Sequence, residues 1–197
     1  SALPVDVWTK KMTDMINNDV ELQKFILAEN IFNVTNSTAA SFTTFNLTVA
    51  DSGDELALAA IQARPGRKTI IIDAANFPTD RYILQGLADR FGLKLITINN
   101  EEGGEAKHEQ ITPEILEKYL SDDVAFVTLE VIQYRSGARS DIKAITDLVR
   151  KYGALTIWDA SHAVGAIEMN FDANGVDLAV GCTYKYGNSG PGAPAWL

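Results

Sequence analysis

Residues 155–192 read "LTIWDASHAVGAIEMNFDANGVDLAVGCTYKYGNSGPG". Two short apolar runs in it each end on polar residues. "LTIWD" closes on Asp159, with His162 three residues further on. "VDLAVGC", at 176–182, leads into Lys185 between Tyr184 and Tyr186, and then into a glycine-rich turn. Neither run alternates apolar with polar residues, as a strand covered on both faces need not. Runs of the same kind stand at 69–73 ("TIIID"), 94–98 ("KLITI") and 124–129 ("VAFVTL"). Helix-like segments lie between them at 78–91, 112–120 and 140–152. "TPEI" opens the second with an N-cap threonine, proline at the first helical position and an acid in the first turn. "KYGA" closes the third with Gly153, where a left-handed cap is expected. Strand and helix in alternation predict an α/β fold of three layers, α/β/α, with a mainly parallel sheet and right-handed crossovers.

Outside this core the pattern is less regular. Helices are expected at 7–17 and 55–64, whereas "NVTNSTAASFTTFNLT" at 33–48 is rich in Thr, Asn and Ser. "RPGRK" at 64–68 reads as a tight loop and "EEGGEAKHE" at 101–109 as an acidic surface turn. "PAWL" at 194–197 reads as the opening of another strand, so the expectation is a fragment. Its parts would be an N-terminal helical segment at 1–32 and a partial large domain at 33–197, without a C-terminal small domain.

Composition excludes several classes. The chain has 197 residues, 46% hydrophobic and 22% charged, enough for a self-contained core. A net charge of -9 opposes binding to nucleic-acid phosphates and to anionic membranes. The apolar runs are far shorter than the ~20 residues of a membrane-spanning helix. A single cysteine, Cys182, leaves no internal disulfide and points to a reducing, cytoplasmic setting. With one Cys and two His, a zinc site made by the protein alone is not expected.

In open α/β sheets, ligands sit beyond the carboxyl ends of the strands. Chain order carries Asp73 to Asp80, Glu130 to Ser136, Asp159 to His162, and Lys185 to that edge. Asp159 is either a turn cap shared with Ser161 or a buried anion awaiting a cationic partner. His162 is either a hydrogen-bonded structural residue or one that touches a ligand. Lys185, flanked by aromatic residues at a strand end, is either a solvated lysine or an amine able to attack a carbonyl. Lysine with a strand-end aspartate is the protein side of pyridoxal-phosphate chemistry: the amine holds the aldehyde and the carboxylate keeps the pyridine nitrogen protonated. A phosphate would suit "NST" at 36–38 if it opens a helix. No GxGxxG or GxxxxGK[ST] loop is present, so nucleotide readings lack their phosphate cradles.

Four blocks carry a resemblance: "NFPTD" (76–80), "QYRSG" (133–137), "WDASHAVGA" (158–166) and "GVDLAVGCTYKYGNSGPGAPA" (175–195). In content, order and approximate spacing they resemble the kynureninases. These are pyridoxal 5'-phosphate enzymes of the aspartate-aminotransferase fold, type I. The resemblance spans roughly 33–197. It implies that Lys185 is the Schiff-base lysine and Asp159 the partner of the pyridine nitrogen. Phe77 would stack on the ring, with Pro78, Thr79 and Asp80 completing that wall. Thr38, Ala39 and Tyr184 would hold the phosphate, His162 would line the pocket, and Tyr184 would relay a proton. The implied reaction is hydrolysis of the Cβ–Cγ bond of L-kynurenine or 3-hydroxykynurenine, in tryptophan catabolism, by a homodimer. Three departures accompany it. The segment before "RPGR" is longer than usual, Glu130 stands where a small or neutral residue is expected, and the small domain with its carboxylate-binding arginine is missing. The fragment alone is therefore expected to be inactive. Other reactions of the same scaffold, such as cysteine desulfuration or C–S lysis, and a non-catalytic binding module are the alternatives.

Overall fold

The computed structural model describes residues 49–99 and 110–197, all within one compact unit, Thr44–Leu197. The expected helical segment at 1–32, Thr38, Ala39 and the acidic turn at 101–109 lie outside the described residues. The elements in chain order are α1 (Val49–Ala63), β1 (Thr69–Asp73), α2 (Pro78–Phe91), β2 (Lys94–Ile98), α3 (Pro113–Glu117), β3 (Val124–Glu130), α4 (Ile142–Lys151), β4 (Leu155–Asp159), β5 (Leu178–Cys182) and β6 (Ala195–Trp196). They form one six-stranded sheet in the order β2-β1-β3-β4-β5-β6. The first five strands pair in parallel, and β6 joins β5 antiparallel through Gly181↔Trp196 and Cys182↔Ala195.

Both faces of the sheet are covered, which explains strands without polar alternation. Ile70 and Ile72 of β1, Phe126 of β3, Ile157 of β4 and Val180 of β5 pack with Leu56, Ala57 and Ala60 of α1 and Leu84, Leu87 and Ala88 of α2. On the opposite face Ile71, Val127, Leu129 and Trp158 pack with Ile145, Leu148 and Val149 of α4. Each fully buried aliphatic or phenyl side chain contributes roughly 1.5–3 kcal/mol of transfer free energy. Trp158 has a polar atom in this core, and its indole N–H donates to Thr146 Oγ1 at 3.1 Å.

Several boundaries differ from the sequence reading, among them α1, which starts at Val49 rather than 55, and α4, which spans Ile142–Lys151 rather than 140–152; three others have a local reason. α3 ends at Glu117 rather than at 120, because the Tyr119 and Leu120 N–H groups donate to Leu116 and Glu117 carbonyls in tight turns. β5 begins at Leu178 rather than at 176, because the Asp177 carboxylate takes the Thr156 N–H of β4 that a longer ladder would use. β3 runs one residue further, to Glu130, whose backbone stays in register with Asp159. The caps hold as read: Thr112 Oγ1 accepts from Ile115 N, and Gly153 has φ 71°.

Candidate functional site

The carboxyl ends of β1, β3, β4 and β5 lead into four turns that share one edge of the sheet. After β1, the Asp73 carboxylate accepts the Ala75 N–H at 2.8 Å and Asn76 Oδ1 accepts the Phe77 N–H at 2.9 Å. That turn leaves Phe77 at the N-cap of α2 with Pro78 following. Asp80 thus falls in the first helical turn, facing the sheet. After β3, the Gln133 side chain accepts the N–H groups of Arg135 and Ser136 and donates to Ala75 O at 2.9 Å. One glutamine therefore ties the third turn to the first and fixes Tyr134 between them.

After β4, Asp159 is 6% exposed, and its Oδ1 accepts the Ser161 N–H at 2.7 Å. Residues 161–166 form turns that carry His162. After β5, the chain folds back on itself. Asn188 N–H donates to Lys185 O, and Ser189 N–H donates to Thr183 O, both at 3.1 Å. Gly187 is required in this loop, since a Cβ there would lie 2.7 Å from Thr183 O.

These turns bring five rings and charges together. Lys185 Nζ stands 5.7 Å from the Phe77 ring centroid and 5.9 Å from that of Tyr184. Phe77 meets Tyr134 edge-on at 5.2 Å, and Tyr134 lies 6.5 Å from His162. Phe77 nevertheless keeps 42% of its surface open. Below them, Asp80, Asp159 and Thr128 line a cavity of about 30 Å³ walled by Phe126, Ile157 and Val180. A space of that size holds about one water.

The electrostatics follow from burial and crowding of like charge. Burial, then the neighbouring Asp159, pushes the Asp80 carboxyl up to about 7, against the pull of Lys185. Burial and Asp159, with Asp80 and Asp73 behind, push Glu130 up to about 8. His162 is held below its ordinary value by burial and by Lys185, against Asp159. Tyr184 is raised, first by burial and then by its contact with Cys182. Near neutral pH the edge therefore holds an uncharged imidazole and two carboxyls, Asp80 and Glu130, that keep much of their protons.

Comparison with known proteins shows the family. The Aminotransferase class-V family matches residues 19–193. The chain belongs to that family. Within the class-V fold it resembles the kynureninase of Deinococcus radiodurans, with 41% identity over 141 residues, 72% of this chain and 32% of that protein. The kynureninase of Pseudomonas fluorescens is 38% identical over 137 residues, 68% of this chain and 30% of that protein. The chain thus spans about a third of the length of the curated relatives it matches. Two solved structures share the fold. The apo cysteine desulfurase from Thermococcus onnurineus NA1 has a TM-score of 0.58 at 19% identity, covering 70% of this chain and 33% of its own. The cystine C–S lyase C-DES, in complex with cysteine persulfide, has 0.57 at 18% identity, covering 64% and 33%.

Of the residues named from sequence, Phe77, Pro78, Thr79, Asp80, Asp159, His162, Tyr184 and Lys185 all lie along this class-V sheet edge. Tyr184 is 44% exposed, its ring turned toward Lys185. Cys182 is buried at the end of β5, its thiol directed to Ser161 O at 3.8 Å. Sequence reading missed Tyr134, which bridges Phe77 and His162; its presence in "QYRSG" was the available signal.

Proposed function

We propose that this chain is the cofactor-binding part of a kynureninase-like hydrolase that takes pyridoxal 5'-phosphate. Its substrate would be L-kynurenine or 3-hydroxykynurenine, cleaved at Cβ–Cγ to anthranilate or 3-hydroxyanthranilate and L-alanine. The observation that carries the reading is the placing of Lys185 Nζ over the Phe77 ring at the edge where the buried Asp159 ends β4. Identity near 40% to two kynureninases supports the choice among class-V reactions. The residues present fit the group. An anion at a buried strand end suits a ring cation, an open aromatic face suits a planar ring, and a lysine stands beside both. When bound, the cofactor supplies an aldehyde for an amine and a cationic ring that draws electrons from a substrate carbon.

The chain's own residues then have distinct tasks. Lys185 Nζ would hold the aldehyde, and its free amine would accept the substrate's α-proton. Asp159 would accept a charge-assisted hydrogen bond from the ring nitrogen, worth roughly 1.5–3 kcal/mol. Phe77, braced edge-on by Tyr134, would offer an apolar face to the ring. His162, neutral, lines the same wall without adding charge. Tyr184, its phenol held protonated, passes a proton at the departing carbon. In this reading Thr38 and Ala39 serve the phosphate, and the whole enzyme is a cytoplasmic homodimer acting on an amino acid. Among the described residues no helix is long and apolar enough to cross a membrane. A cysteine desulfurase would need a mobile nucleophilic cysteine, whereas Cys182 is buried.

A visible-absorbance scan of the chain with added pyridoxal phosphate tests the proposal. A new band that disappears in Lys185→Ala is expected. A spectrum identical to that of free cofactor would refute it.

A further inference from the structure

Glu130 and Asp159 end adjacent strands in register, so their side chains project to the same face of the sheet. That face carries Phe126 and Ile157 further down, and the cavity lined by Asp80, Thr128 and Asp159. Glu130 is 6% exposed, and neither of its carboxyl oxygens has a hydrogen-bond partner of ordinary geometry. A buried polar group left unpaired costs about 1–3 kcal/mol, and more if charged, so folded proteins rarely keep one without use. Ser161 Oγ, one turn from Asp159, is also buried and unpartnered.

The surroundings of Glu130 decide its chemistry. The groups acting on Glu130 are Asp159 from β4, Asp80 from α2 and Asp73 from β1, all of its own sign; the nearby Tyr134 N–H offsets them only in part. Among the described residues no cluster of three or more His, Cys, Asp or Glu could hold a metal ion. A buried carboxyl crowded by three others is stable there as the neutral acid. A neutral acid has one O–H to give.

We propose that Glu130 is a binding residue at this strand end, beside Asp159, whose carboxyl O–H donates to an acceptor oxygen on the group that Asp159 and Lys185 hold. Ionised, the same side chain would repel that oxygen. The assignment rests on the pyridoxal-phosphate reading and adds a pH-dependent contact to it.

The test is titration of the chain with pyridoxal phosphate at pH 7 and pH 9.5, for wild type, Glu130→Gln and Glu130→Leu. A neutral hydrogen bond corresponds to about tenfold in affinity, so at pH 7 Glu130→Gln should bind within about twofold of wild type and Glu130→Leu about tenfold more weakly. At pH 9.5 wild type should lose roughly tenfold or more relative to Glu130→Gln, whose amide does not ionise. This second comparison stands even if the leucine variant fails to fold. Equal affinity and equal pH profiles for wild type and both variants would overturn the role of Glu130 alone. Absence of wild-type binding at both pH values would overturn the cofactor reading and Glu130's role together.

Discussion

The two edges of the parallel sheet are built to opposite rules. At the amino edge, polar side chains are paired with the main chain and with one another. The Arg67 guanidinium donates to Val124 O at 2.7 Å and Tyr152 O at 2.9 Å, and Arg64 donates to Gly153 O at 2.7 Å. Thr69 Oγ1 donates to Asp123 at 2.6 Å, and Asp177 takes both the N–H and the hydroxyl of Thr156 while pairing with Arg150. At the carboxyl edge, Asn76 Nδ2, Arg81 Nε, both oxygens of Glu130 and Ser161 Oγ are buried without partners. Among the described residues every such orphan lies on that side. A fold that satisfies one edge this fully can do so at the other, so the unpartnered groups support the proposal that the carboxyl edge receives a ligand.

If the contrast is real, damage at the two edges should separate. The largest effect belongs to Asp159→Asn in the full-length enzyme, which should keep cofactor and fold but lose at least ~10-fold in turnover, given what a charge-assisted hydrogen bond contributes. Steady-state kinetics beside a thermal melt would show it; unchanged turnover would reduce Asp159 to a turn cap. A titration of stability sharpens the contrast next. Asp80 and Glu130 are harder to ionise folded than unfolded, so the folded chain keeps protons that the unfolded chain has released. Their contribution is complete in the acid range below ordinary carboxylate values, and is lost as pH rises through about 7 and about 8. Denaturation midpoints should therefore fall between pH 5 and 9, and less so in Glu130→Gln; the opposite slope would contradict the buried, crowded carboxyls. The smallest functional effect belongs to Arg67→Ala. Losing its two bonds to main-chain carbonyls should cost about 2–3 kcal/mol, read as a shift in urea midpoint, while cofactor binding persists.

Much of this architecture is legible in sequence, because each strand is an unbroken apolar run and each helix has its punctuation. "LTIWD" and "TIIID" are strands to the residue, and the N-cap of α3 is visible in "TPEI". The carboxyl edge is legible as a list, since topology alone carries Asp80, Asp159 and Lys185 there. Its state is not. That Glu130 continues β3 depends on backbone pairing with Asp159, and a charged residue normally argues for a strand's end. That its oxygens go unpaired depends on what three other elements bring near it. Tyr134 escaped for a similar reason: its place between Phe77 and His162 is set by Gln133 reaching across to Ala75. The start of α1 at Val49 is hidden by a polar, glycine-containing stretch that carries little helical signal.

The central claim is that Lys185 is the amine of this site, selected from the chain's other lysines by its place over Phe77. Borohydride reduction of the chain incubated with pyridoxal phosphate, followed by peptide mapping, tests it most directly. The label is expected on the peptide containing "CTYKYG", at Lys185. A label concentrated on Lys143, Lys151 or another lysine would contradict the account.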